Sequence, residues 1–235
     1  MTSNSQRTKK KPVPKPTGVN ILKQDPVFPG YIFHIRVDAD KTSQIQVLTG
    51  YEYRDLDNVL LKKALSEYLV MQTPKLYQRP VGPFVFIRPN PELDFKTVVD
   101  VVKSVRESGP SELTVVTPDG HNLNIPAEPK LTSEINVKPN PLTLVVSLDK
   151  SKNITLNNEE SGSLSDPSPL IRRLKDIFRE RTENAVFREG TYEIYKTVYI
   201  KSALSNTFAD LIKIAKAVDE SGADPLGLQV DDLEQ

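Results

Sequence analysis

The chain has 235 residues, of which 37% are hydrophobic, and its 31 basic and 31 acidic residues give a formal net charge of zero. This length accommodates two small domains, and the balanced charge gives no reason to expect nucleic-acid binding. The absence of cysteine excludes a disulfide framework, a zinc–thiolate site and a cysteine nucleophile.

The N-terminal part of the chain does not have the pattern of a targeting or membrane segment. The basic run from Arg7 to Lys11 is followed by prolines and polar residues, whereas a secretory signal peptide continues into an apolar stretch. No run approaches the length of a membrane span, so we expect a protein that is soluble where it is made or a soluble fragment of a longer chain. Residues 1–26 are predicted to form a disordered, basic, proline-rich tail.

A hairpin and a helix are the first elements expected in each half of the chain. The segments that begin at Ile32 and Pro141 each predict two strands around a polar turn, with Asp38 matching Asp149. Pro169 suits the first turn of a helix, where its missing N–H forfeits no bond. The predicted helices run from about Asp55 to Met71 and from Ser168 to about Arg181.

An internal repeat follows these elements. The segment from Val85 aligns without a gap with the segment from Val198, an offset of 198 − 85 = 113 residues. Both segments have the pattern of a strand, a loop, a one-sided apolar helix, a glycine and a second strand. This agreement predicts a duplication within the chain. Matched residues include Ile87 with Ile200, Arg88 with Lys201, Phe95 with Phe208, Val105 with Val218 and Leu113 with Leu226.

The two repeated helices carry start and stop signals. Asp94 and Thr207, with Asn206 as an alternative to the latter, are predicted to cap the helix N-termini. Gly109 and Gly222 are predicted to take the left-handed conformation just beyond the helix ends, which glycine adopts without a steric penalty.

These patterns predict an α+β fold made of two tandem β-β-α-β-α-β modules, each a mixed sheet covered on one face by two helices. The modules are expected at residues 27–125 and 141–235, with a proline-rich linker at residues 126–140. A hairpin that turns at Asp119-Gly120 is expected near the end of the first module. The segment NNEESGSLSDPS, from Asn157, is expected to be a polar loop.

The second module carries a family resemblance in the order of its elements. These are PLTLVVSLDKSKNITLN, a helix near LIRRLKDIF, the strand VYIKS, a helix ending in DESG and the strand LGLQV. Their order and spacing resemble the extracytoplasmic domain of the ExbD/TolR family. The first module retains Ile87-Arg88 and the helix DVVKSVRESG, and the resemblance covers most of residues 30–117 and 141–231.

The resemblance implies a non-enzymatic envelope component on the periplasmic side of the inner membrane. Its implied partners are an ExbB/TolQ-like proton-channel protein and a TonB/TolA-like protein, or peptidoglycan. The family domain dimerises, so the tandem pair implies a homodimer or an intramolecular pseudo-dimer. Two features of the family pattern are missing, namely the transmembrane helix with its proton-coupling aspartate and the acidic residue after the Ile-Arg strand, where Pro89 and Ser202 stand instead.

Two sets of residues are candidates for binding. Arg88 and Lys201 end matching strands next to a predicted helix N-terminus, so they are candidates for binding a partner or an anion such as a carboxylate of peptidoglycan. Solvated basic residues at strand ends are the alternative interpretation. The last strand of each module is a candidate pairing edge. The residues of these edges are Leu113, Val115, Leu226 and Leu228.

No catalytic, cofactor or metal site is predicted. The sequence lacks a phosphate-binding glycine loop and a nucleophile elbow, and His34 and His121 lie in unrelated elements. We therefore expect no enzymatic activity, no cofactor and no nucleic-acid partner. The alternative to the envelope role is a soluble tandem α/β protein that binds a ligand or regulates another protein. A cytoplasmic location suits that alternative, since no signal peptide is seen.

Overall fold

The computed structural model describes residues 32–40, 43–49, 52–56, 84–107, 112–126 and 142–233, and these form a mixed α+β fold. The α+β class expected from the sequence is therefore confirmed. The described strands are β1 (Ile32–Val37), β2 (Ser43–Thr49), β3 (Glu52–Leu56), β4 (Phe84–Pro89), β5 (Glu112–Val116), β6 (Asn122–Asn124), β7 (Leu144–Leu148), β8 (Asn153–Leu156), β9 (Glu159–Ser163), β10 (Val198–Ser202) and β11 (Leu226–Leu228). The described helices are α1 (Phe95–Arg106), α2 (Ser168–Glu183) and α3 (Phe208–Glu220).

The described strands form one sheet, in the order β3-β2-β1-β4-β5-β6-β11-β10-β7-β8-β9. We call β1 to β6 with α1 the first half and β7 to β11 with α2 and α3 the second half. In each half, a trio of parallel strands is extended by antiparallel hairpin strands; the trios are β1-β4-β5 and β7-β10-β11. Strand β6 pairs antiparallel with β5 and parallel with β11, so it joins the two halves.

The core lies between the sheet and the helices. Alternate residues of the central strands are buried, as in Val85 and Ile87 of β4 and Val198 and Ile200 of β10. This alternation places one face of each strand against the helices. The apolar faces of α1 and α3 complete the core, and each fully buried aromatic ring contributes about 1.5–3 kcal/mol. The buried apolar residues of α1 are Phe95, Val98, Val99, Val102 and Val105, and those of α3 are Phe208, Leu211, Ile214, Ala215, Ala217 and Val218.

Helices α1 and α3 meet at their N-terminal ends through backbone hydrogen bonds. The first amides of each helix donate to carbonyl groups just before the other helix, and Asp94 and Thr207 form an antiparallel bridge. Adding 113 to one residue number and subtracting it from the other converts each bond into its counterpart, so the contact is reciprocal. The bonds are Phe95 N to Asn206 O (2.7 Å), Phe208 N to Leu93 O (2.8 Å), Lys96 N to Leu204 O (3.1 Å) and Ala209 N to Pro91 O (2.8 Å).

The predicted signals of the repeated helices are confirmed where the structure describes them. Asp94 caps α1 by accepting a hydrogen bond from the Thr97 amide at 2.6 Å. Thr207 caps α3 in a reciprocal box with Asp210. Gly222 has a φ of +86°, the left-handed conformation expected after α3. Gly109 lies outside the described residues.

Two predicted boundaries are wrong. The helix expected from about Asp55 does not begin there, because the described part of it, up to Leu56, completes β3; the rest of that segment lies outside the described residues. The segment expected to be a polar loop contains β9, whose backbone pairs with β8 and whose Ser161 is buried. Polar residues occupy this strand because backbone pairing, more than apolar burial, holds it.

Other predicted elements agree with the structure. The hairpins β1–β2 and β7–β8 are present, and so is the β5–β6 hairpin, whose turn includes Gly120 at a φ of +94°. Helix α2 begins at Ser168 and runs beyond Arg181 to Glu183. The predicted tail, residues 1–26, and the linker after residue 126 lie outside the described residues.

Candidate functional site

The two basic residues singled out in the sequence occupy corresponding places in the sheet. Arg88 lies at the end of β4, in register with Arg36 of β1. Lys201 lies at the end of β10, in register with Ser147 of β7. Each lines a cavity at the carboxyl ends of the parallel strands of its half. The structure therefore places the two candidates in separate, matching cavities.

The cavity of the first half, here called the first cavity, has a volume of about 430 Å³. It lies at the carboxyl ends of the adjacent parallel strands β1, β4 and β5. Crevices at this edge of a parallel sheet are where open α/β folds bind ligands. The lining residues include Arg36, Val37, Asp38, Arg88, Pro89, Pro91, Val116, Pro118 and Gly120.

The cavity of the second half, here called the second cavity, has a volume of about 210 Å³. Its residues Leu148 and Asp149 match Val37 and Asp38 in strand position, and Lys201 matches Arg88. The lining is polar. It includes Ser147, Asp149, Asn153, Thr155, Lys201 and Ser202.

The first cavity contains more positive than negative charge. The Arg36 Nε donates to Asp38 Oδ1 at 2.8 Å, which leaves the Arg88 guanidinium without a matching carboxylate among the lining residues. Burial lowers the pKa of His34, and the positive charge of Arg88 lowers it further. The imidazole of His34 stacks on the Phe86 ring, with 5.4 Å between ring centroids. The field of Arg88 is therefore felt along the open face of β1.

The carboxylates near the second cavity already have partners. Asp149 accepts hydrogen bonds from the Asn153 amide at 2.7 Å and from Asn153 Nδ2 at 2.9 Å. Burial alone would raise the pKa of Asp149, but these bonds lower it overall, so the carboxylate is ionised. Lys152 Nζ donates to Asn206 Oδ1 at 2.6 Å and to Asp210 Oδ2 at 2.7 Å. Turn geometry and the capping of α3 account for these side chains.

The helix N-termini do not serve the two basic residues as the sequence suggested. The first amides of α1 and α3 donate across the halves to the carbonyl groups given above. The amides of Thr97 and Asp210 are held by the capping side chains of Asp94 and Thr207. Because these donors are occupied, any anion near Arg88 or Lys201 has to be held by side chains.

The strands proposed as pairing edges lie inside the sheet. Leu113 and Val115 belong to β5, which pairs with β4 and β6, and Leu226 and Leu228 belong to β11, which pairs with β6 and β10. All four side chains are buried. These strands are thus no exposed edge in this structure, because β6 fills the space between them.

His121 joins the halves at the far end of the helices. Its Nδ1 lies 3.2 Å from Asp119 Oδ1 in its own turn, and its Nε2 lies 3.4 Å from Asp219 Oδ2 of α3. The corresponding position in α1 is Arg106, which donates two hydrogen bonds of 2.7 Å to Asp231 beyond β11. Across the described ranges, no three His, Cys, Asp or Glu side chains cluster as metal ligands.

Sequence reasoning missed Arg36 as a binding candidate. Its register with Arg88 depends on β1–β4 pairing, which joins strands about fifty positions apart in the chain. The available signal was its position two residues before Asp38, with the side chain on the same face of the strand.

The comparisons with known proteins do not add a relative. The chain matches no protein-family model, and it matches no curated protein. Within the part of the chain that the structure describes, no helix is long and apolar enough to cross a bilayer.

Proposed function

We propose that the chain is a tandem duplication whose two β-β-α-β-α-β modules pair as an intramolecular pseudo-dimer. The observation that carries this proposal is the reciprocal contact between α1 and α3, in which each backbone bond has a counterpart 113 residues away. Such mutual exchange is what a two-fold interface requires. The mirrored strand order, β2-β1-β4-β5 against β11-β10-β7-β8, supports the same arrangement.

On this basis, the chain acts as a non-enzymatic, ExbD/TolR-like envelope component. It passes motion driven by an ExbB/TolQ-like proton channel to a TonB/TolA-like protein, or it engages peptidoglycan, on the periplasmic side of the inner membrane. The element order of the second half supports this role, as does a paired architecture of the kind that the resemblance implies. The side chains lining both cavities suit binding better than bond-breaking chemistry, since none is a histidine, and the serine and threonine hydroxyls lack a base partner among the described contacts.

The partner experiment uses the full chain, tagged and cross-linked in cells before purification. We expect enrichment of an ExbB/TolQ-type protein and recovery of the chain in the envelope fraction. A matched variant, Asp94→Lys with Thr207→Lys, places like charges in the contact between the halves and should reduce that enrichment. Recovery in the cytoplasmic fraction with no ExbB/TolQ-type protein enriched would contradict the envelope role.

The paired cavities favour one alternative, a soluble tandem α/β protein that binds a ligand in each half. Both cavities lie at the carboxyl ends of parallel strands, and each contains a basic residue at the same position. Melting temperatures measured across a panel of small metabolites distinguish this alternative. It predicts an upward shift with a specific compound in the absence of any protein partner.

A further inference from the structure

We propose that the first cavity binds a small organic acid, whose carboxylate or phosphoryl group is held between Arg88 and Arg36 and whose carbon skeleton lies against the proline-rich wall. This site deepens the ligand-binding alternative and does not depend on the envelope role. Its test measures ligand binding to the purified chain, whereas the envelope role is tested by its protein partner, so the two can fail separately.

The first argument is topological. From β1 the chain turns back into the hairpin strand β2 on one side, whereas from β4 it crosses through α1 to β5 on the other side. The connections therefore diverge between β1 and β4, and a crevice opens at their carboxyl ends. This switch point is the usual ligand position in open α/β sheets.

The second argument is charge. Arg36 and Arg88 are register partners on adjacent strands, and like charges at directly opposite positions destabilise a sheet. Asp38 neutralises only one of the two guanidinium groups. Within the described residues, Arg88 has no hydrogen bond or ion pair. An oxyanion bound between the two groups would relieve this repulsion and accept a bidentate hydrogen bond from Arg88.

The third argument is the wall of the cavity. Val37, Pro89 and Val116 are buried, and Pro91 and Pro118 extend this surface toward solvent. A bare inorganic ion would leave these carbon atoms uncovered in a space of about 430 Å³. A ligand with an apolar body and one acidic group fills both parts of the cavity.

The second cavity provides an internal comparison. It is about half as large, at about 210 Å³, and Ser147 replaces Arg36 as the neighbour of the basic residue. With one cation and no proline wall, the second cavity should bind the same acid more weakly. Substitution of Lys201 should therefore leave binding in the first cavity unchanged.

The experiment is a titration of the full chain, labelled with ¹⁵N, followed by two-dimensional NMR at constant ionic strength. The probes are phenyl phosphate, benzoate and inorganic phosphate. We expect saturable shifts of the Asn90, Thr117 and Gly120 amides with phenyl phosphate or benzoate. The tighter of the two identifies the acidic group of the ligand. Inorganic phosphate should bind more weakly than either.

Variants separate the site from general charge effects. Arg88→Ala should weaken binding by about tenfold or more, because it removes a charge-assisted bidentate contact. Arg172→Ala, which removes an equal charge from the exposed side of α2, should leave the affinity within about twofold, and so should Lys201→Ala.

Three results would overturn the proposal. The first is the absence of saturable shifts with every probe, which would leave no ligand site in this cavity. The second is an equal loss of affinity in Arg172→Ala and Arg88→Ala, which would reduce binding to non-specific charge. The third is binding of inorganic phosphate as tightly as phenyl phosphate, which would remove the role of the proline-rich wall.

Discussion

Arg106 and Asp231 join the C-terminal end of α1 to the segment beyond β11. Two parallel hydrogen bonds of 2.7 Å make this a bidentate pair, and the Arg106 side chain is 13% exposed. Hydrogen bonding from Arg106 is the main reason that the pKa of Asp231 lies below its usual value. The pair therefore stabilises the folded chain at neutral pH and ties the two halves together.

Asp231→Asn should lower the free energy of unfolding by about 0.5–1 kcal/mol at pH 7, after allowance for solvent screening of this partly exposed carboxylate. Since the folded pKa is lowered, the contribution is present above the unfolded pKa and is lost as the pH falls through the folded value. Urea unfolding should therefore show a difference that is largest at pH 7 and shrinks below about pH 4. The control is Asp232→Asn, and an equal effect of the two variants would remove the assigned role of the ion pair.

Gly227 permits a close approach between neighbouring strands. A Cβ atom added there would lie 2.6 Å from Tyr199 Cε1 of β10, and nearer still to Cδ1, which is closer than van der Waals contact allows. The backbone of Gly227 is not in the left-handed region, so packing against the tyrosine ring explains the glycine. This contact crosses the open face of the sheet, away from the helices.

Gly227→Ala should lower the free energy of unfolding by about 1–3 kcal/mol, because the tyrosine ring or the strand has to move. The same substitution in a Tyr199→Ala background should cost clearly less, since the two residues are directly coupled. Chemical denaturation of the four proteins in this cycle measures the coupling. Equal costs in both backgrounds would mean that the ring is not what excludes a side chain.

At the scale of elements, the N-termini of α1 and α3 differ from ordinary helix ends. The first amides of a helix usually lack protein acceptors and exchange quickly with solvent. Here the amides of Phe95, Lys96, Phe208 and Ala209 have backbone acceptors in the other half. The two helices therefore depend on each other for the satisfaction of their N–H groups.

Proline at the second position of these helices tests that dependence. Helix α2 itself tolerates Pro169 at its second residue, so Ala209→Pro should leave α3 intact while removing its bond to Pro91 O. We expect a loss of about 1 kcal/mol and faster amide exchange at Lys96 and Phe95. Lys96→Pro should produce the reciprocal change at Phe208 and Ala209. Unchanged exchange in the other helix would show that the halves are not coupled here.

Local patterns predicted the elements that have strong local signals. Apolar periodicity and capping residues found α1 and α3, and alternation around polar turns found the hairpins β1–β2 and β7–β8. They did not find β9, because Glu159 to Ser163 lack the β-branched and aromatic residues that mark a strand. Strand β3 was missed for a related reason, since Asp55 and Leu56 also fit the start of an apolar helix.

The candidate site was predicted only in part. The sequence identified Arg88 and Lys201 from their matching positions, and both line cavities in the structure. It did not identify Arg36 as their neighbour or the prolines as a wall, because the register between β1 and β4 is set by tertiary pairing. It also left the first helix amides available for an anion, whereas the structure uses them between the halves.

At the scale of the whole molecule, β6 changes how the two halves join. A simple pair of modules would place β5 beside β11, but β6 lies between them and pairs with both. The reciprocal helix contact then lies over a sheet that continues through all eleven described strands. A duplicated chain of this kind can keep its two modules together at any protein concentration, which a dimer of separate chains cannot.

The central claim is that the two halves meet in a reciprocal contact within one chain, and a disulfide tests it most directly. The natural sequence has no cysteine, so Asp94→Cys with Thr207→Cys introduces one pair at the antiparallel bridge. Residues opposite each other in such a bridge have Cα atoms about 4.5–5.5 Å apart, within the range for a disulfide. A control pair, Asp94→Cys with Asp166→Cys, joins positions that share no bridge.

Under mild oxidation and at low protein concentration, non-reducing electrophoresis and mass spectrometry should show the bridge-position disulfide within single chains. The control pair should remain reduced. Failure of the bridge pair to oxidise, or its oxidation only between chains, would contradict the account.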